Sequence, residues 1–305
     1  MNDMIEVSLE YEGERLDKCL SLIYPNQSRS FFQKLIKDNK VFINRKSQKA
    51  SYKVSYEDVI EIEIPETEEA SIEPENIPLD IIYEDEDVII VNKPKGMVVH
   101  PSIGHYSGTL VNAILYHCKD SLSGINGVIR PGIVHRIDMD TTGSLIVCKN
   151  DKSHIDIAEQ IKEHTVNRIY LGIVHGNLKD EEGTIEGNIS RHPQQRKKMA
   201  ITANGKPAIT HYKVLKRYSG YTYVQFKLET GRTHQIRVHM SSIGHPLLGD
   251  NLYCTQKSSF KNLQGQCLHA KTIGFVHPTT HEYVEFEAEL PEYFKNLLKI
   301  LENKS

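Results

Sequence analysis

Residues 135–143 read HRIDMDTTG and place charged and hydroxyl side chains between two apolar segments. Asp138 and Asp140 lie two positions apart, and paired carboxylates can act as acid and base on one glycosidic bond. A single buried Asp can also be a nucleophile, and a nearby cation such as Arg136 would favour its charged form. Asp and Thr are equally common in turns, where their side chains bind the local backbone. The residue types alone therefore leave a catalytic site and a capped turn open.

The side chains that usually hold metals or form disulfides lack the usual spacing. The five cysteines are scattered and odd in number, with no C-x-x-C pair, which argues against a disulfide framework and a zinc site. His234, His239 and His245 match no metal motif. The sequence has no dinucleotide-binding fingerprint and no P-loop. We therefore expect neither a metal nor another cofactor.

The charges of this 305-residue chain are segregated, although the formal net charge is only −3. Residues 28–53 carry eight Lys or Arg and one acid, and residues 191–239 carry eleven and one. Residues 56–87 carry fourteen acids and no basic residue. Two basic blocks can attract a polyanion even when the total charge is negative. Charge alone thus allows two interpretations, nucleic-acid binding and ordinary solvated faces.

The hydropathy of the chain bears on where it resides. No apolar run is long enough to span a membrane. The first ten residues lack the basic and apolar stretches of a signal peptide. We expect a cytoplasmic protein without a membrane partner and, by default, a monomer.

Residues 1–65 predict a small domain that begins with two helices. Leu16, Leu20 and Ile23 fall on one helix face, and Ser28 or Ser30 can cap a second helix. Two segments that read as strands follow, VFIN and DVIEIEI.

The remainder predicts a linker and a larger domain. Residues 66–78, ETEEASIEPENIP, are acidic and contain two prolines, which is typical of a linker. Residues 79–305 mix strand and helix patterns without strict alternation. We therefore predict an α+β domain, with a mixed, largely antiparallel sheet flanked by helices, rather than a doubly wound one.

The first 65 residues resemble the S4 RNA-binding domain in the order R-L-D, then S-R-S, then V-x-I-N. This resemblance implies that the second helix and the loop after it face structured RNA. The positions carried over are Arg29, Lys34, Lys37, Arg45 and Lys46. Taken one by one, each of these residues could equally be an ordinary surface charge.

HRIDMDTTGSLIV is similar to the H-R-L-D-x-x-T-S-G-L motif of the RluA-type pseudouridine synthases. Four further segments match that family in the same order: NKPKGMVVHP, RIYLGIVHG, LETGRTHQIRVHMSSIGHPLLGDNLY and LHAKTIGFVHPTT. The resemblance runs from about residue 79 to 290 and implies isomerisation of uridine to pseudouridine in RNA, without a cofactor. The larger bacterial members carry an S4 domain and modify large-subunit (23S) ribosomal RNA, so RNA rather than DNA is the expected partner.

The resemblance also implies the roles of single residues. Asp138 is the catalytic carboxylate, for which attack on the sugar, attack on the base and proton removal from C2′ all stay open. Arg237 is its ion-pair partner, and Tyr170 stacks on the target base, which must leave the RNA helix to be reached. Arg136 either fills the space that the base leaves or binds a phosphate.

A basic segment, RHPQQRKKM, predicts a loop that grips the RNA backbone, since phosphate contacts position a substrate without reading its sequence. Its candidates are Arg191, Arg196, Lys197 and Lys198. Two alternatives to the synthase are a non-catalytic RNA-binding factor and a hydrolase. The first needs no acid at position 138, and the second would use Asp138 and Asp140 to release free uracil.

Overall fold

The computed structural model describes residues 2–25, 27–64, 72–101, 105–119, 122–125, 131–256, 260 and 263–304. The chain divides into two compact units, Met1–Ala70 and Ser71–Ser305, called here the N-terminal and C-terminal units. Residues 66–71 of the predicted linker lie outside the described residues. Ile72 is buried in the core of the C-terminal unit. None of the described helices is both long and apolar enough to cross a membrane.

The N-terminal unit packs two helices on a small antiparallel sheet. Its elements are β1 (Asn2–Glu6), α1 (Leu16–Ile23), α2 (Arg29–Lys37), β2 (Val41–Ile43), β3 (Lys46–Ser47) and β4 (Val59–Glu63). A short 3₁₀ helix, Leu9–Tyr11, lies between β1 and α1. The strand order is β1-β4-β2-β3. The Ser28 side chain accepts a hydrogen bond from the Phe31 amide and begins α2. This is the predicted cap.

The C-terminal unit is built on one large sheet. Its strands are β5 (Ile81–Glu84), β6 (Val88–Lys93), β7 (Thr142–Cys148), β8 (Asn167–His175), β9 (Glu182–Glu186), β10 (Ile189–Arg191), β11 (Met199–Ile201), β12 (Ile209–Tyr218), β13 (Tyr221–Leu228), β14 (Leu268–Val276) and β15 (Tyr283–Glu287). Its helices are α3 (Leu110–Cys118), α4 (Asp151–Lys162), α5 (Gln235–Ser242) and α6 (Glu292–Glu302).

The topology confirms the predicted α+β class. The strand order is β5-β6-β7-β14-β8-β13-β12-β9, with β15 beside β14 and a separate hairpin of β10 and β11. Among the strand pairs of the described residues, β7 and β14 alone run parallel. One face of the sheet buries Phe226 together with Leu110 of α3 and Met240 of α5. Burial of each such side chain contributes roughly 1.5–3 kcal/mol.

Two features of this sheet place the 135–143 segment. Gly143, at the start of β7, has φ 110°, and a Cβ there would lie 2.2 Å from the Ala270 carbonyl oxygen. Only glycine allows β7 and β14 to approach this closely. Ile137 is buried in the main core. The segment is therefore anchored at both sides of Asp138.

Candidate active site

A buried lysine holds the loop that carries Asp138. Lys93, at the end of β6, is 1% exposed, and its Nζ donates to the carbonyl oxygens of Pro94, Met97 and Met139 at 2.8, 2.8 and 2.9 Å. The Gly96 amide also donates to the Met139 carbonyl. Burial lowers the pKa of Lys93 to about 7. The segment NKPKG thus fixes the backbone directly after Asp138.

Asp138 is joined to Arg237 by a short ion pair. Arg237 lies on α5, and its Nη1 donates to Oδ2 of Asp138 at 2.9 Å. The Asp138 side chain keeps 18% of its surface exposed. Within the described part of the chain no hydrogen bond reaches Oδ1 of Asp138, and Nε2 of His234 lies 3.8 Å from it. One carboxylate oxygen is therefore committed to Arg237, and the other is open.

Arg237 is itself fixed by a second carboxylate. Its Nε and Nη2 donate to the two oxygens of Asp250 at 2.7 and 2.9 Å, and the Asp250 side chain is fully buried. A fork of two parallel N–H···O bonds sets the plane of the guanidinium. Burial lowers the pKa of Arg237, but Asp250 and Asp138 outweigh it, and the net direction is upward. Arg237 thus stays a cation that bridges two acids.

A cleft opens beside this pair. Tyr170 of β8 lines it and is buried. Burial raises the pKa of Tyr170, so its hydroxyl is neutral near pH 7. Leu228, Ile236 and Leu268 give the cleft apolar walls. An aromatic ring, apolar walls and a few polar groups together suit a planar base.

All four catalytic candidates named from the sequence, Asp138, Tyr170, Arg237 and Arg136, line this one cleft. Arg136 is exposed there. Asp140 points elsewhere: its carboxylate fills the space beside Gly265, where a Cβ would lie 2.2 Å from Oδ2. The residues that line the cleft therefore include Asp138 and not Asp140, which argues against the acid–base pairing of the hydrolase alternative.

The residues with RNA-binding roles predicted for the N-terminal unit differ from one another. Arg29 donates from Nη2 to Oδ1 of the buried Asp17 at 3.0 Å, so it has a structural partner. Arg29 is nevertheless exposed, as are the other four: Lys34 and Lys37 on α2, Arg45 between β2 and β3, and Lys46 at the start of β3. No observation here assigns them to RNA, and their role stays a prediction.

The basic segment 191–198 forms the tip of a hairpin. Arg191 ends β10, and Met199 begins β11. Arg191, Arg196 and Lys197 are exposed, and Lys198 is half-buried. The Met199 amide donates to the Tyr253 hydroxyl at 2.7 Å, which ties the hairpin to the cleft through a residue in contact with His234.

Sequence reasoning missed four residues of the site: Lys93, His234, Asp250 and Tyr253. All lie in segments that matched the family motifs, but their partners are set by the tertiary fold. The described residues contain no group of three His, Cys, Asp or Glu side chains that could hold a metal ion.

Comparisons with known proteins show which family the chain resembles. The family model for RNA pseudouridylate synthase matches residues 87–242, and the S4 domain model matches residues 14–60. The chain is 49% identical to "Uncharacterized RNA pseudouridine synthase YlyB" of Bacillus subtilis (strain 168), over 97% of each chain. It is 43% identical to the ribosomal large subunit pseudouridine synthase D of Zymomonas mobilis, over 98% of this chain and 97% of that protein.

A solved structure adds a match in the fold. The human RNA pseudouridylate synthase domain containing 1 superposes with a TM-score of 0.56 and 26% identity, over 74% of this chain and 95% of that one. The matched sequence models and the matched structure thus point to the same family.

Proposed function

The chain belongs to the RNA pseudouridine synthase family, and we propose that it forms pseudouridine in large-subunit ribosomal RNA with Asp138 as its catalytic residue. The observation that carries this proposal is the Asp138 carboxylate, which has one oxygen held by Arg237 and one open toward a cleft that Tyr170 lines. A relative at 43% identity carries the name of a ribosomal large-subunit enzyme. That name supports the choice of RNA.

The reaction exchanges one bond of the uridine for another. The bond between N1 and C1′ breaks, and the bond between C5 and C1′ forms. The C5 hydrogen leaves as a proton, and N1 gains one, so no electrons enter or leave. A carboxylate near C1′ can serve by attack on the sugar, attack on the base or proton removal from C2′. Oδ1 of Asp138 is the oxygen that is available for each of these routes.

The other cleft residues have roles in holding the uracil. Tyr170 offers a ring on which an extruded base can stack, and the apolar walls exclude water from it. Arg237 balances the charge of Asp138 and, through its fork to Asp250, keeps the carboxylate oriented. Arg136 takes the place of the departed base or binds a phosphate at the cleft mouth.

Basic side chains beside the cleft suit an RNA backbone. A groove next to it is lined by Arg136, Lys162, Arg168 and Arg232 among others. The exposed cations of this groove and of the hairpin 189–201 can contact phosphates of the RNA, and the N-terminal unit carries basic residues of its own. We further propose a monomer that acts in the cytoplasm on RNA and not on DNA.

The test is a pseudouridine map of 23S ribosomal RNA from cells that lack this protein. We expect one or more sites to revert to uridine, and to be restored by the wild-type gene but not by Asp138→Asn. A complete set of pseudouridines in the deletion strain would contradict the proposed substrate. Restoration by Asp138→Asn would contradict the catalytic assignment.

A further inference from the structure

His234 lies beside the open oxygen of Asp138 in an unusual backbone conformation. It precedes α5 with φ 57° and ψ 21°, in the left-handed region. Few residues other than glycine adopt this region, and such strain persists where the surrounding structure fixes it. The His234 side chain lines the cleft, with Nε2 3.8 Å from Oδ1 of Asp138. That distance is too long for a hydrogen bond and leaves both groups facing the same space.

A hydrogen-bond chain sets which nitrogen of His234 carries the proton. The Met199 amide donates to the Tyr253 hydroxyl oxygen at 2.7 Å. That hydroxyl lies 2.8 Å from Nδ1 of His234. Because the amide already donates to the hydroxyl oxygen, this arrangement favours the tautomer in which the hydroxyl donates to Nδ1. Nδ1 is then an acceptor, and the neutral ring carries its proton on Nε2, toward Asp138.

The same framework that holds Arg237 holds this chain. The Tyr253 amide donates to Oδ1 of Asp250 at 3.0 Å, and the Arg237 guanidinium lies 5.1 Å from the Tyr253 ring centre. Burial lowers the pKa of His234; Asp138 opposes this effect, and the net direction is downward. His234 therefore stays neutral near pH 7, and Asp250 organises both neighbours of Asp138.

A neutral N–H donor beside Asp138 can stabilise the negative charge that develops on uracil during the reaction. When the bond between N1 and C1′ breaks, uracil leaves with the bonding electrons, and negative charge spreads over N1 and the carbonyl oxygens. Asp138 must reach the ribose or the base. Atoms near C1′ therefore come close to Oδ1, and O2 of uracil, on the ring carbon beside N1, is one of them. A neutral imidazole can polarise a carbonyl oxygen on which charge develops, as a neutral histidine does in triosephosphate isomerase.

We propose that His234 is a further catalytic residue, which donates its Nε2–H to a carbonyl oxygen of the uracil as that base separates from C1′. Tyr253 is the positioning residue that keeps the proton on Nε2. No proton is transferred in this step, since the hydrogen bond only stabilises the anion. The inference rests on the proposed function, because it assumes that a uridine enters this cleft.

The experiment compares His234→Ala, His234→Gln and Tyr253→Phe with the wild type, by single-turnover isomerisation of an RNA substrate and by RNA affinity. Removal of one such donor lowers rates about 10²–10³-fold, and we expect this for His234→Ala with unchanged RNA affinity. Gln has an amide N–H that can replace Nε2–H, so it should recover most of the loss. Tyr253→Phe should show a smaller loss of rate with unchanged affinity.

The two His234 variants form a matched pair, because both place a side chain at the same left-handed position. Equal losses in Ala and Gln, or a loss confined to RNA affinity, would overturn the donor role. A wild-type rate in His234→Ala would overturn it as well. A wild-type protein that isomerises no RNA would instead contradict the proposed function, which separates the two failures.

Discussion

Two carboxylates, Asp17 in the N-terminal unit and Asp138 in the C-terminal unit, pair with arginines and differ in how many hydrogen bonds they accept. Asp17 of α1 has a fully buried side chain and accepts four hydrogen bonds: two from Arg15, one from Arg29 and one from Gln33. Asp138 accepts one, from Arg237, and keeps 18% of its side chain exposed. Both are ion pairs, but only Asp138 has an oxygen left for a substrate.

The difference separates a structural carboxylate from a reactive one. Burial alone would raise the pKa of Asp17, but the bonds from Arg15, Arg29 and Gln33 outweigh burial and lower it. Such a site is stable because every lone pair is used. In the active site, Asp250 is the carboxylate that has both oxygens bonded to the arginine, and it fixes Arg237 on the side away from Asp138. The active site thus keeps one acid fully bonded so that the other can remain open.

The change with the largest expected effect is Arg237→Met, which removes the cation shared by Asp138 and Asp250. The fully buried Asp250 would lose its partner, and breaking a buried pair costs about 3–5 kcal/mol of unfolding free energy. Isomerisation should be lost too, because Asp138 loses its orientation. Urea unfolding and single-turnover rates measure the two effects. Arg136→Met, at the exposed neighbour, is the control and should leave stability unchanged.

Asp17→Asn tests the structural side of the comparison. It removes one charge from a saturated buried network and should destabilise the N-terminal unit by about 3 kcal/mol. The stability that Asp17 supplies is present above about pH 4 and declines as the pH falls through its lowered folded pKa, because the unfolded carboxyl binds protons first. In urea unfolding between pH 5 and pH 3, the free energy of unfolding of the variant should lack this decline. An unchanged single-turnover rate at saturating RNA is expected, and a large loss of rate would break the comparison.

Lys93→Met tests how the loop that carries Asp138 is held, and we expect the smallest change in the free energy of unfolding here. Its folded pKa of about 7 lies below that of an unfolded lysine. Between these values the unfolded chain binds more protons, so stability should rise with pH by roughly 1 kcal/mol per pH unit. Lys93→Met should be less stable and lack this rise. Equal slopes for wild type and variant in urea unfolding at pH 7.5 and 9 would mean that Lys93 is not titrating there.

Local pattern predicted much of this molecule. The two helices of the N-terminal unit and the Ser28 cap of α2 were predicted from residue pattern, and the structure shows all three. The motif resemblance brought Asp138 and Arg237 together. Composition could not show that the exposed Arg29 pairs with a buried carboxylate, that of Asp17 on the preceding helix.

The remaining contacts depend on long-range packing. Asp250 meets Arg237, and Tyr253 meets His234, only because the segment after α5 folds back across it. The left-handed conformation of His234 has no marker in its residue type beyond the enrichment of His in that region. Such pairings are set by the fold and not by spacing along the chain.

The most direct test of the account is the loss of the C5 hydrogen from RNA that carries tritium at C5 of uridine, with excess protein and a single turnover. The wild type should release tritium to water as C5 joins C1′. Asp138→Asn, which is nearly isosteric, should release it at least about 10⁴-fold more slowly while binding RNA and resisting urea like the wild type. Tritium release by folded Asp138→Asn at close to the wild-type rate would contradict the assignment of the open carboxylate as the reactive group.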